Sequence, residues 1–384
     1  MTQQRPTILV VDDTPANIDV VKEILYPDYH VQAAINGEAA LDLISRGTPD
    51  LILLDVMMPG IDGYEVCLRL KNDEQTSSIP VIFLTAMDHV EDEAKGFEIG
   101  AADYIMKPVN PTILAARVAT HIALNDQRKL LADALEMVTH SINYASRIQR
   151  SILPDLDVLS PTMEDFFVLW EPRDVVGGDI YWCDSWGDGL LIILADCTGH
   201  GVPGAFLTLL AKGALDKARR AADAGDLQGL ISNFHRILQE TLGQNFQGGE
   251  SDDGLELGAC YVGQGAESLK FVGAKFDLLI IQDGDATAIR GTRKGLGYRK
   301  IPNDQVFDTH EIELNGDPRF YMVSDGIIDQ IGGERGRSYG KRRFQENLLS
   351  IQDIPMSEQK ALIYAALIAY QGSQVRRDDI SAIG

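Results

Sequence analysis

The sequence predicts two modules: an α/β module with a parallel sheet, and an α+β module with antiparallel sheets, joined by a long helix. Three observations carry this. Over residues 1–122, short and almost wholly apolar runs alternate with amphipathic stretches, the pattern of strands buried on both faces between crossover helices. Over residues 156–384, strand-like runs are grouped and interrupted by paired helical stretches, which is not strand–helix alternation. Between them, in residues 123–155, apolar residues recur every seven positions.

In the first module the strands are TILVV, VQAA, DLILLD, PVIFLT and DYIMK, and a helical pattern such as Ile18, Val21, Ile24 and Leu25 lies between the first two. Ligands of such sheets bind beyond the carboxyl ends of the strands. There the sequence places Asp12 and Asp13 after the first strand, Asp55 at the end of the third, Thr85 at the end of the fourth and Lys107 at the fifth. A lone Asp at a strand end is usually a cap. Three carboxylates gathered on one edge repel, which favours a hard cation such as Mg2+. Asp55 is then a candidate phosphoryl acceptor, with Lys107 and Mg2+ neutralising charge and Thr85 hydrogen-bonding a phosphoryl oxygen.

In the connector, Leu124, Leu131, Val138, Ala145 and Ile152 are spaced by seven, and Leu135 and Ile142 supply a second seam position. Arg128 and Gln149 interrupt the seam and Pro154 ends it. The pattern suits a helix packed on its own domain or a parallel homodimeric coiled coil; the second is the expectation taken forward.

In the second module, FFVLWEP, GGDIYWCD, GLLIILADC, LELGACYV, SLKFVGA and FDLLIIQ read as strands. Helices are expected near 203–224, 226–244, 341–350 and 357–371, with DDISAIG as the last element. Asp179 lies in VGGDIYW, Asp196 ends a strand in LIILADCTGHG, Asp325 ends another in FYMVSDG, and Asp378 and Asp379 open the last. Any one of these is most simply a turn residue. If they converge, they make an all-oxygen site for two hard divalent cations. A Gly-Gly-Asp can also belong to a GGDEF nucleotide cyclase, but here Ile-Tyr follows instead of Glu-Phe, and that reading leaves ADCTGHG, SDG and DDIS without roles.

Composition narrows the function classes. Hydrophobic residues make up 45% and charged residues 24%, a globular profile. Lys plus Arg number 34 against 57 Asp plus Glu, a net charge of -23 that disfavours nucleic acid and anionic lipid as direct partners. No apolar run reaches the roughly 18 residues of a membrane span, and the N-terminus lacks a signal-peptide layout. Cys67, Cys183, Cys197 and Cys260 are widely spaced, which fits a reducing cytoplasm.

Residues 1–122, on the ordered set Asp12, Asp13, Asp55, Thr85 and Lys107, resemble the CheY-like receiver domain of two-component response regulators. The resemblance implies a doubly wound five-stranded sheet, phosphorylation of Asp55 by a sensor histidine kinase, a cis Lys107–Pro108 bond and a Thr85–Tyr104 switch pair. VGGD, ADCTGHGVPGAF, SDG and DDIS, led in by ASRIQRSILP, resemble the SpoIIE-type branch of the PPM serine/threonine phosphatases. That implies a β-sandwich flanked by helices and two Mn2+ or Mg2+ ions. Asp196, bridging, and Asp325 would hold them, with the Cys197 carbonyl, Asp378 and, directly or through water, Asp179. Asp379 stands where related phosphatases carry Asn and ranks below Asp378. The implied substrate is a phosphorylated anti-sigma-factor antagonist in a partner-switching pathway. The alternative is an inactive, phosphorylation-dependent scaffold. The family usually continues the last strand, whereas this sequence stops at Gly384.

Overall fold

The computed structural model describes residues 5–86, 96–156, 165–244, 252–265 and 267–384. The expected boundary at 156 therefore abuts residues outside the description. The chain forms two compact units, Met1–Val138 and Thr139–Gly384.

The first unit contains β1 (Thr7–Val11), α1 (Pro15–Leu25), β2 (His30–Ala34), α2 (Gly37–Arg46), β3 (Leu51–Asp55), α3 (Gly63–Asn72), β4 (Val81–Thr85), β5 (Asp103–Met106) and the start of α4 (Pro111–Ile152). The strands are parallel in the order β2-β1-β3-β4-β5. Strand side chains alternate in direction, so Leu9, Val11, Ile52, Leu54 and Phe83 fill one face, and Ile8, Val10, Leu51, Leu53 and Leu84 the other. Leu114, Val118 and Ile122 of α4 close the second face. Each fully buried aliphatic side chain contributes about 1.5–3 kcal/mol, which explains why these runs tolerate a carboxylate, Asp55, at the end of a fully buried strand. Asn36 and Asp62 cap α2 and α3, accepting from the amides of Ala39 and Glu65 at 2.8 Å each.

The second unit contains β6 (Val168–Glu171), β7 (Asp179–Trp186), β8 (Gly189–Cys197), α5 (Gly201–Ala221), α6 (Leu227–Thr241), β9 (Leu255–Gly263), β10 (Ser268–Ala274), β11 (Asp277–Gln282) and β12 (Asp285–Arg290). There follow β13 (Thr309–Glu313), β14 (Arg319–Val323), α7 (Asp325–Ile328), β15 (Ile331–Gly332), β16 (Arg337–Ser338), α8 (Gly340–Ser350), α9 (Met356–Gln371) and β17 (Ile380–Ile383). Two five-stranded sheets, β13-β10-β9-β8-β7 and β12-β11-β14-β17-β6, face each other. Leu194, Phe271, Leu278 and Met322 fill the space between them. Ile193, Leu215, Phe234 and Val272 join the first sheet to α5 and α6, and Tyr321, Phe344, Leu348 and Ile380 join the second to α8 and α9. The result is a helix–sheet–sheet–helix sandwich.

The apolar strands and the four long helices of this unit fall where the sequence places them. The outer strands β12 and β13 and the β15–β16 hairpin were not anticipated; β12, β13 and β16 are mostly exposed and β15 is two residues long, so no apolar run marks them. Asp325 does not end a strand: β14 stops at Val323 and Asp325 opens the one-turn α7. The helix expected in the connector begins earlier, at Pro111, and runs unbroken to Ile152. Among the described residues no helix is long and apolar enough to cross a membrane.

Candidate metal centres

At the carboxyl edge of the parallel sheet, Asp12, Asp13 and Asp55 each offer an oxygen within 4.8 Å of the others. The Lys107 ammonium donates to Asp12 Oδ2 at 2.7 Å and sits 2.9 Å from Asp55 Oδ2. Asp12 is fixed from behind by the Thr14 amide at 2.9 Å and the Asn17 side-chain amide at 3.0 Å. Asp13, in contrast, is exposed. Burial pushes the Asp55 carboxyl up, against the opposing pull of Lys107. Burial also disfavours the Lys107 ammonium, but its hydrogen bonds to Asp12 and Asp55 outweigh this and hold its proton tightly. Thr85 is buried at the end of β4, and its carbonyl accepts from the Lys107 amide at 2.7 Å. The Lys107–Pro108 bond is cis. Tyr104 packs edge-on to Phe97 and under the Arg117 guanidinium. The all-oxygen donor set fits one hard divalent cation.

In the second unit, sheet register gathers the acids. Asp179 pairs with Asp196 across β7–β8, and Asp196 pairs with Glu256 across β8–β9. Asp196 and Asp325 lie close enough to act on each other's ionisation. Burial first, then Asp179, Asp325, Asp378 and Glu256, raise the Asp196 carboxyl well above the usual range. Burial and Asp378 raise Asp325 in the same way. Asp179 is pushed up to about 8, by burial and then by Asp379. Carboxylates kept together at this electrostatic cost fit hard divalent cations that would replace their protons.

The predicted ligands do not all point alike. Asp179 is buried and hydrogen-bonded to the Ser381 hydroxyl. Asp379 is buried too, and accepts from the amides of Arg173 at 2.6 Å and Gly178 at 2.5 Å. It therefore fastens the VGGD turn, while Asp378 beside it is partly exposed and acts electrostatically on Asp196 and Asp325. Among the described residues, only Asp12, Asp13 and Asp55 form a group of three with oxygens within 4.8 Å.

Backbone segments meet closely here. A Cβ on Gly178 would lie 2.3 Å from the Gly199 carbonyl oxygen and 2.8 Å from that of Cys197, the predicted carbonyl ligand. A Cβ on Gly326 would lie 1.8 Å from the Asp379 carbonyl oxygen. The glycines of VGGD and SDG are thus required for the strand ends to converge.

Two roles escaped sequence reasoning, those of Glu256 and Gln149; His200, the best placed histidine in the sequence, sits at the N-cap of α5. Glu256 joins the acidic group through register alone, and Lys275 binds it at 2.7 Å. His200 lies between Arg173 Nη1 at 2.7 Å and Asp174 Oδ2 at 3.2 Å. Gln149, which breaks the heptad seam, is buried: its Nε2 donates to the Gly177 carbonyl at 2.6 Å and its Oε1 accepts from the Gly177 amide at 3.2 Å. The polar interruption is an anchor between α4 and the turn that carries Asp179.

A family model described as response regulator receiver domain matches residues 8–119, and one described as stage II sporulation protein E (SpoIIE) matches residues 187–384. The SiaA-PP2C domain of Pseudomonas aeruginosa is 37% identical, with a TM-score of 0.58, over 66% of this chain and 98% of that one. The response regulator PleD of Caulobacter vibrioides is 47% identical over 112 residues, 29% of this chain and 25% of PleD. A probable cyclic di-GMP phosphodiesterase of Vibrio cholerae is 44% identical over 125 residues, 33% of this chain and 28% of that protein. The chain therefore spans about a quarter of the length of these two curated relatives. The family matches and the fold together define a receiver domain followed by a PPM-type phosphatase domain. The chain belongs to the SpoIIE family.

Proposed function

We propose that the protein is a two-component response regulator whose output is a metal-dependent serine/threonine phosphatase, controlled at Asp55. The observation that carries this is the acidic group of the second unit: Asp179 faces Asp196 across β7–β8, and Asp179, Asp325 and Asp378 all act on the Asp196 carboxyl. The likeness to the SiaA-PP2C domain supports the same reading.

Asp196, Asp325 and Asp378 would hold two Mn2+ or Mg2+ ions, with Asp179 and the Cys197 carbonyl completing the site. Such ions supply a nucleophilic water and a clamp on phosphoryl oxygens. Asp379 keeps the VGGD turn in place by accepting the Gly178 amide together with that of Arg173 just before it. In the receiver, Asp55 would accept a phosphoryl group from a sensor histidine kinase, with Asp12 and Asp13 binding Mg2+, Lys107 countering charge and Thr85 contacting a phosphoryl oxygen. The substrate would be a phosphorylated anti-sigma-factor antagonist, and the cytoplasm the place of action.

Regulation would pass through α4. Leu124, Leu131, Leu135 and Val138 are 46–71% exposed, an apolar seam available to a second copy, and Gln149 reaches the VGGD turn farther along the same helix. A change in receiver pairing would then shift the turn between two positions. The test is hydrolysis of p-nitrophenyl phosphate and a phosphoserine peptide with Mn2+, with and without beryllofluoride as an aspartyl-phosphate mimic. Metal-dependent turnover that changes with beryllofluoride, and is abolished in Asp196→Asn and Asp325→Asn, is expected. Wild-type turnover in both variants would overturn the site assignment.

A further inference from the structure

Against a net charge of -23, the stretch ERGRSYGKRR, residues 334–343, carries five basic residues and one acidic residue. It forms the turn and second strand of the β15–β16 hairpin and the start of α8. Three of its cations have partners. Lys341 pairs with Asp277 at 2.6 Å, Arg342 pairs with Glu346 at 2.9 Å, and Arg343 stacks over Tyr370 at 4.3 Å. Arg335 and Arg337 are exposed and form no ion pair among the described residues. Neighbouring unpaired cations repel, and the hairpin needs neither for its packing, which rests on Tyr370: the Tyr370 carbonyl accepts from the Gly333 amide at 2.8 Å.

The base of the hairpin is linked to both segments of the candidate metal site. Its first residue, Ile331, follows Asp325 by six positions. Gln330, at its base, donates to the Val375 carbonyl at 3.2 Å and accepts from the Arg377 amide at 3.4 Å. Arg377 immediately precedes Asp378, is exposed, and its carbonyl accepts from Arg173 Nη1 at 3.0 Å. Among the described residues, guanidinium groups without an ion pair therefore sit on both segments that present the carboxylates Asp325 and Asp378.

We propose that Arg335, Arg337 and Arg377 form a docking surface for an acidic segment flanking the phosphorylated residue of the substrate. This deepens the phosphatase reading and rests on it. The overall field of the chain repels an acidic partner. At physiological ionic strength that field is screened beyond about 8 Å, so cations in direct contact decide how such a partner is oriented. Guanidinium forks suit this because they bind carboxylates bidentately. The recognised chemistry is a phosphoserine with neighbouring Asp or Glu.

The experiment uses the full chain in EDTA, which stops turnover, and reads fluorescence anisotropy. The probes are two fluorescein-labelled phosphoserine peptides, one flanked by Glu and one by Lys. The wild type should bind the Glu-flanked peptide about tenfold more tightly, with a preference that weakens as salt rises. Arg335→Glu/Arg337→Glu should abolish or reverse the preference, and Arg335→Ser/Arg337→Ser should reduce it. Equal binding of the two peptides by the wild type, or a preference intact in both variants, would overturn the proposal. So would binding of phosphatidylserine vesicles in preference to the peptide, lost in the same variants, since the patch would then be a lipid surface. Wild-type turnover of p-nitrophenyl phosphate with Mn2+ tests the phosphatase reading separately; failure there leaves the anisotropy result standing.

Discussion

His235 shows how a buried polar residue of this fold can be assigned a pH dependence. Its Nδ1 accepts from the Gly297 amide at 3.0 Å, and its Nε2–H donates to the Pro302 carbonyl at 3.0 Å, so the folded state holds the neutral ring. Burial drives its pKa below the ordinary 6.5, against the pull of the Pro302 carbonyl. The stabilising contribution is complete above that ordinary value. It is lost as pH falls through it towards the lower folded pKa, because the unfolded chain takes the proton first. His235→Gln should lower the urea midpoint at pH 7.5, and the gap to wild type should narrow at pH 5.5; a constant gap would show that His235 does not titrate on unfolding. Gly178→Ala belongs to the same scale. Its Cβ would meet backbone oxygens at 2.3 and 2.8 Å, and backbone cannot swing aside as a side chain can. A loss of about 1–3 kcal/mol in chemical denaturation, together with a fall in Mn2+ affinity by calorimetry, is expected; unchanged affinity would mean the VGGD turn does not shape the metal site. At this scale much was legible in advance. Asp12, Asp55, Thr85 and Lys107 meet because parallel strands end on one edge, which the apolar runs disclose. Glu256 was hidden because its role comes from register with Asp196, and antiparallel register between distant strands leaves no local mark.

Among the elements, α4 departs furthest from its sequence reading. The heptad positions split into two uses. Leu124, Leu131, Leu135 and Val138 are exposed, whereas Ile142 and Ala145 are only partly so and Ser146 and Gln149 are buried in the second unit. Periodicity reports that a face is apolar and not what covers it. Two experiments separate these uses. Leu131→Glu with Leu135→Glu should convert a dimer to a monomer in sedimentation equilibrium, while leaving the thermal transition of the second unit in place. If wild type and variant are both monomers, the seam has another purpose. Gln149→Ala should cost about 1–3 kcal/mol by leaving the Gly177 amide and carbonyl buried without their partner, and should change turnover without changing oligomeric state. The β15–β16 hairpin was illegible for a different reason: strands of two residues are too short to carry a hydrophobic period.

At the scale of the whole molecule, two units with separate cores should melt in two calorimetric transitions, one for each metal centre. A ligand that binds only the folded state stabilises it by RT ln(1 + [L]/Kd), about 2.7 kcal/mol at a hundredfold excess over Kd. Mn2+ should therefore raise the transition of residues 139–384, and chelation should lower it. The shift should vanish in Asp196→Asn, whose carboxylate the acidic group cannot spare. Mg2+ with beryllofluoride should raise the transition of residues 1–138 and fail to do so in Asp55→Asn. The two ligands then test coupling, since linkage is reciprocal. If α4 and its Gln149 anchor join the centres, beryllofluoride must also change the Mn2+ concentration needed to shift the second transition. Gln149→Ala should weaken that dependence. Independent transitions in wild type would locate the control of the phosphatase outside the connecting helix, with both catalytic assignments intact.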